Sequence, residues 1–253
     1  MLRQGCFLED IWIFGQLKNS EKMSEVLNYP LYFFFAILPS LLWLNFYLRE
    51  DQRPEPKSMV LKVFLFGMLF AFLALFLEKL LIEWVEILNL PQGLTEVIKI
   101  FLVVALVEEF LKFLVVREVV FESKELDEPI DCMIYMIISG LGFAATENLL
   151  LLFPLKGEIF GRLFQVSFLR FVSATFLHAL TCAIVGFFIG ISFFRKKERV
   201  KLISFGIFLA TLLHGFYNFS IIEFGGKVGL IFSAILILSS AYFVSILFKK
   251  IKE

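Results

Sequence analysis

The run Ile98-Lys-Ile-Phe-Leu-Val-Val-Ala-Leu-Val-Glu-Glu-Phe-Leu-Lys-Phe-Leu-Val-Val116 governs how the rest of the chain is read. Its length and apolar character are those of a membrane-crossing helix, since about 20 residues span a hydrocarbon core ~30 Å thick. Yet Glu108 and Glu109 stand at its middle, with Lys112 one turn on. Inserting an acidic side chain at a helix centre costs roughly 2.5–3.5 kcal/mol, so an intramembrane acid points to function. Two adjacent acids also need buried polar partners. Other apolar segments carry suitable ones: Glu147 with Asn148, His178, and His214 with Asn218.

Of the 253 residues 59% are hydrophobic and 34 are phenylalanine, and the mean hydropathy is +0.85. Repeated apolar runs of about 20 residues identify an all-α, polytopic integral membrane bundle of about seven transmembrane helices, embedded in the lipid bilayer. The formal net charge of zero gives no cue for nucleic acid as a partner. Cys6, Cys132 and Cys182 form no CxxC pair and indicate neither a disulfide framework nor a zinc knuckle. Glu9 and Asp10 interrupt the place where a signal peptide would carry its apolar stretch. Residues 1–28 are read as an N-terminal extension, with Met23 as the expected start, and residues 29–253 as one transmembrane domain.

The expected spans are Leu31–Leu48, Met59–Ile82, Val97–Val116, Ile130–Phe153, Val166–Phe194, Leu202–Ile222 and Val228–Phe248. Glu83–Leu90 reads as a short amphipathic piece at the interface, and Glu78, Lys79, Glu83 and Glu86 as a solvated rim. Basic residues concentrate in alternate loops: Arg49, Arg53 and Lys57; Arg117 and Lys124; Arg195, Lys196, Lys197, Arg199 and Lys201; and Lys249, Lys250 and Lys252 in the tail. The positive-inside rule therefore places this multi-pass chain in a cell membrane with its N-terminus out and its C-terminus in. On that orientation, Glu108, Glu109, Glu147, His178 and His214 share one layer from the midplane to the outer leaflet.

Lys112 lies i+4 from Glu108 and i+3 from Glu109, so it can meet either acid. Successive helical residues point about 100° apart, so the two acids cannot face one partner equally. His214 and Asn218 share a helical face. An imidazole can orient a nucleophilic water, bind a metal or donate to an oxyanion. A carboxylate beside it can serve as a general base. The plainer readings are interhelical polar contacts for Asn148 and Asn218, snorkelling for Arg170, and close helix packing for Gly140, Gly142 and the Gly186-Phe-Phe-Ile-Gly190 motif.

Five motifs then stand in order. They are Arg49-Glu-Asp-Gln-Arg-Pro-Glu-Pro56, Glu108-Glu-Phe-Leu-Lys-Phe113, Asp131–Tyr135 leading into Gly140-Leu-Gly-Phe-Ala-Ala-Thr-Glu-Asn148, Arg170 before His178-Ala179, and His214-Gly-Phe-Tyr-Asn218. Together they resemble the PrsW family of bacterial intramembrane proteases. The wider superfamily resembled includes the type II CAAX prenyl endopeptidases and the Abi immunity proteins. Phe143-x-x-x-Glu147 stands where the CAAX enzymes have Phe-x-x-x-His, and no cue for prenyl recognition is present.

The resemblance implies hydrolysis of a membrane-anchored protein substrate, an anti-sigma factor cut at an extracytoplasmic position being the family's associated case. On this reading Glu108 is the general base, acting on a water held with His178 in a cavity open to the outer face. His214 and Asn218 stabilise the oxyanion, while Glu109 and Lys112 support the base. Glu147 is a second carboxylate or orients an imidazole, and Asn148 and Arg170 assist. The preference for Glu108 over Glu109 follows from the CAAX resemblance. No cofactor is required by this mechanism. A zinc-dependent version, with Glu108, His178 and His214 as ligands, is the near alternative, and a non-catalytic scaffold or an ion-coupled transporter are the rivals from other classes.

Overall fold

The computed structural model describes residues 25–51, 53–155 and 160–252. The expected start at Met23, and residues 1–24 of the expected extension, lie outside them. Helix α1 (Glu25–Tyr47) is followed by α2 (Lys57–Ile87). A continuous helical rod then comprises α3 (Gln92–Val97), a π-helical stretch (Ile98–Ala105) and α4 (Leu106–Val119). The remaining helices are α5 (Pro129–Leu152), α6 (Phe160–Val172), α7 (Ala174–Phe194), α8 (Arg199–Phe219), extended by a π-helical turn (Ser220–Phe224), and α9 (Gly226–Ile251). Six helical stretches are long and apolar enough to cross a membrane. The α3–α4 rod, which carries the acidic pair, is not among these six.

Two sequence expectations are corrected. The expected span Val166–Phe194 is two helices broken at Ser173, whose φ −121° and ψ −98° leave the helical region. The Ser173 hydroxyl turns back to donate to the Leu169 carbonyl at 2.6 Å. The expected interfacial piece Glu83–Leu90 does not exist as such, because α2 continues to Ile87 before Asn89 turns the chain at φ 48°.

Helix α5 sits at the centre. Its N-terminus is secured by Pro129 in the first turn and by reciprocal capping between Glu128 and Asp131. Between helices in lipid the hydrophobic effect gives little drive, so association rests on close van der Waals packing. Here glycines supply it. A Cβ on Gly142 would stand 2.1 Å from the Phe64 carbonyl oxygen, and one on Gly67 would stand 2.3 Å from that of Ser139, so α2 and α5 meet backbone to backbone. On the opposite side Gly186 and Gly190 of α7 abut the backbone carbonyls of Cys132 and Pro129, as the small-residue motif implied. Phe33, Phe72 and Phe76 stay exposed on the outer helix faces, where acyl chains would cover them.

Hydroxyls and an indole lock the remaining crossings. Thr146 donates to the Met68 carbonyl at 3.0 Å, Ser139 to that of Lys112 at 3.0 Å, and Ser167 to that of Phe35 at 2.7 Å. Trp43 stacks on Phe176 and donates to the Phe171 carbonyl, binding α1 to the α6–α7 break. At one end of the bundle Arg53 meets Glu128 and Lys252 meets Glu50, while Arg199 lies over the rings of Phe121 and Phe193. The loops that sequence assigned to one side are thus together. Measured along the helices from this end at 1.5 Å per residue, Glu147, His178 and His214 lie about 22–27 Å in, and Glu108 about 16 Å in.

Candidate active site

The π-helical stretch ends three residues before Glu108, and such turns recur next to functional residues. Glu108, Glu109 and Lys112 then project from the first turns of α4 into the bundle. Glu109 and Lys112 are fully buried, while the Glu108 side chain keeps about 10% exposure. The ammonium of Lys112 donates to Glu108 Oε2 at 3.1 Å and to Glu109 Oε1 at 2.8 Å, and it lies 2.7 Å from His178 Nδ1. Three acceptors match the three protons of an ammonium. The same group lies 4.7 Å from the centroid of the Phe143 ring.

Because Lys112 can only donate, His178 Nδ1 must accept, and the proton of His178 therefore sits on Nε2. That nitrogen donates to Glu147 Oε2 at 3.1 Å. Glu147 Oε2 also takes Arg170 Nη2 at 2.9 Å, and Arg170 Nε donates to Asn148 Oδ1. The Asn148 amide in turn donates to the Ala36 carbonyl and to Thr175 Oγ1, each at 3.1 Å. Arg170 therefore does not snorkel to the surface. It closes a chain running from α6 through α5 and α7 to α4.

His214 engages the other acid. Its Nδ1 lies 2.8 Å from Glu109 Oε1, and its Nε2 stands 3.9 Å from Glu108 Oε2. With Nδ1 donating to the carboxylate, Nε2 presents a bare lone pair. The two imidazoles meet edge to face at 5.3 Å. Asn218, one turn beyond His214, is half-buried, and among the described residues its amide has no hydrogen-bond partner. Glu109 Oε2 and Glu147 Oε1 are buried and likewise unpartnered.

The structure thus brings together Glu108, Glu109, Lys112, Glu147, His178 and His214, with Asn148 and Arg170 as supports and Asn218 beside His214. One acid escaped the sequence reading. Glu78, expected on a solvated rim, is only 6% exposed and interacts electrostatically with Glu147, Lys112 and Glu108. The signal was present: Gly67, Ala71, Ala74 and Glu78 recur at helical spacing, so the acid ends a stripe of small buried residues.

Fold and site together define a polytopic helical membrane protein closed around a buried carboxylate–imidazole–ammonium centre. Residues 55–247 match the PrsW family intramembrane metalloprotease family. The chain is 34% identical over 184 residues to the Protease PrsW of Geobacillus kaustophilus (strain HTA426), covering 72% of this chain and 76% of that protein. It is 30% identical over 212 residues to the Protease PrsW of Clostridioides difficile (strain 630), covering 81% and 86% respectively. For the Protease PrsW of Bacillus subtilis (strain 168) the identity is 32% over 186 residues, covering 73% and 79%. No solved structure matches. The chain belongs to the PrsW family of intramembrane metalloproteases.

The family description implies a metal ion. Glu108, His178 and His214 each offer one ligand atom, all within 4.8 Å of one another. Two imidazoles and a carboxylate are a donor set found in catalytic zinc sites. His214 has the arrangement of a ligand imidazole, with one nitrogen anchored on a carboxylate and the other bare. His178 joins the set by giving up Lys112 or Glu147. The residues fit a metal in kind.

Proposed function

We propose that the chain is a multi-pass peptidase of the cell membrane that hydrolyses a peptide bond in a membrane-anchored protein, with Glu108 activating the attacking water. The observation that carries this reading is the 3.9 Å gap between Glu108 Oε2 and His214 Nε2. Two acceptors so placed can share one bridging water. Each is fixed from behind, Glu108 by Lys112 and His214 by Glu109. Glu108 takes a proton as the water oxygen bonds to the scissile carbonyl carbon and the carbonyl electron pair moves onto oxygen. The unpartnered Asn218 amide donates to that oxyanion. The C–N bond then breaks, and Glu108 returns the proton to the leaving amine.

In this assignment His214, rather than His178, shares the water with Glu108, because both nitrogens of His178 are engaged. His178, Glu147 and Arg170 position Lys112. Glu109 supports His214, which separates the two adjacent acids by role. Cleavage of a membrane-anchored reporter in cells tests the proposal: Glu108→Gln and His214→Ala should each abolish cleavage at unchanged protein level. Full activity of both variants overturns it.

A metal-assisted reading is favoured by the Glu108, His178 and His214 cluster. These residues would hold zinc, which supplies polarisation of the carbonyl and a more acidic water. Metal analysis of purified protein, with chelator sensitivity of cleavage, separates the two readings.

The basic loops support an N-terminus outside and a C-terminus inside the cell. The site then lies displaced toward the outer face, which suits an extracytoplasmic cut in a substrate such as an anti-sigma factor. Reporter fusions to the C-terminus test the orientation. Proteomic comparison of wild type with Glu108→Gln identifies the substrate.

A further inference from the structure

At the basic end of the bundle, far from the catalytic layer, Asp51, Glu128 and Asp131 each offer a carboxylate oxygen, all within 4.8 Å of one another. This is not a solvated acidic patch. Asp51 is 7% exposed and Asp131 2% exposed. Asp51 Oδ1 accepts the Arg53 backbone N–H at 2.8 Å, but its Oδ2 is buried with no hydrogen-bond partner. A buried carboxylate oxygen without a donor is costly unless something cationic or polar meets it.

Local charge sharpens the point. Asp127 and Asp51 stand close enough to act electrostatically on Asp131, and all three act on Glu55. Among the described residues, the cation paired with these five acids is Arg53, which reaches Glu128 at 3.0 Å and Asp127 at 3.7 Å. Asp131 Oδ2 is already held by the N–H groups of Asp127 and Glu128, at 2.9 and 2.7 Å, so the carboxylate is pre-oriented. Glu55 is tied to Tyr135.

We propose that Asp51, Glu128 and Asp131 form a site for a hard divalent cation of the Mg2+ or Ca2+ class. Oxygen-only carboxylate donors select such ions over zinc, and water completes the shell. The ion clamps the Asp51 loop, which joins α1 to α2, onto the N-terminus of α5. Since α5 carries Glu147, the site braces the helix at the centre of the bundle from its far end.

The test is calorimetric titration of chelator-treated, full-length protein in detergent micelles with MgCl2 and, separately, CaCl2. The expected result is saturable binding of one ion per chain for at least one of the two salts. Asp51→Asn and Glu128→Gln should each weaken it by about tenfold or more, as loss of a ligand charge does. Glu108→Gln should leave it unchanged, which separates this site from the membrane centre. If Asp51→Asn is not monodisperse, Glu128→Gln decides, because its side chain is partly exposed and its substitution is mild. Absence of saturable binding for both salts overturns the proposal. So does binding that survives in Glu128→Gln and in folded Asp51→Asn, or that disappears in Glu108→Gln.

Discussion

Lys112 Nζ lies 2.7 Å from His178 Nδ1, so a lysine of α4 fixes the tautomer of a histidine of α7. The same ammonium holds Glu108 and Glu109, and it is fully buried. Removing one partner of a buried charge network costs about 3–5 kcal/mol, because the remaining charges are left uncompensated. Lys112→Met should therefore lower stability by about that amount and abolish cleavage. Lys112→Arg should retain more stability than Lys112→Met but lose activity, since a planar fork cannot reproduce three converging contacts. Thermal unfolding in detergent and reporter cleavage, measured on both variants, check this.

The two adjacent glutamates should separate kinetically. Glu108 faces the 3.9 Å gap to His214 Nε2, whereas Glu109 bonds to Nδ1 behind the ring. Glu108→Gln should cost the full general-base contribution, about 10²–10⁴-fold in turnover. Glu109→Gln keeps a hydrogen-bonding side chain behind His214 and should cost about 10–100-fold, as loss of an orienting carboxylate does. Single-turnover cleavage in proteoliposomes distinguishes them, and equal losses would contradict the division of roles.

Helix packing gives a prediction independent of chemistry. A Cβ on Gly142 meets the Phe64 carbonyl at 2.1 Å, and backbone cannot swing aside as a side chain can. Gly142→Ala should force α2 and α5 apart at a cost of at least about 1–3 kcal/mol. Gly93, a helical glycine where an added Cβ meets nothing within 4 Å, is the control, and Gly93→Ala should not lower the unfolding temperature.

The i+3 and i+4 spacing of Glu109 and Glu108 to Lys112 was legible in sequence, because helix geometry alone makes those neighbours meet. The layer shared with Glu147, His178 and His214 was also legible, since it needed only span order. Pairings across helices were not. Nothing in the sequence distinguishes His178 bound to Glu147 from His178 facing a water, because that depends on how α5 and α7 are rotated. The break at Ser173 was hidden for a related reason: apolar composition resumes at Ala174, Phe176 and Leu177, so hydropathy shows one unbroken span where the backbone divides into two helices. Glu78 stands near a span's end, where sequence position alone indicates the interface, but its helical face points inward.

Burial pushes the Glu55 carboxyl up to about 8; the Tyr135 hydroxyl bonded to it opposes that shift, and the charges of Asp131, Asp51 and Asp127 add to it. An unfolded glutamate titrates near the ordinary carboxylate value, so between that value and about 8 the folded chain binds a proton that the unfolded chain does not. Stability from this group is fully present below the unfolded value and is lost as pH rises through about 8. In chelator-treated protein the unfolding temperature should therefore fall between pH 5 and pH 9, and Glu55→Gln should flatten that fall because an amide stays neutral. Differential scanning fluorimetry in detergent across this range checks it. A wild-type profile that rises with pH, or a Glu55→Gln profile identical to wild type, would show that Glu55 does not hold the proton.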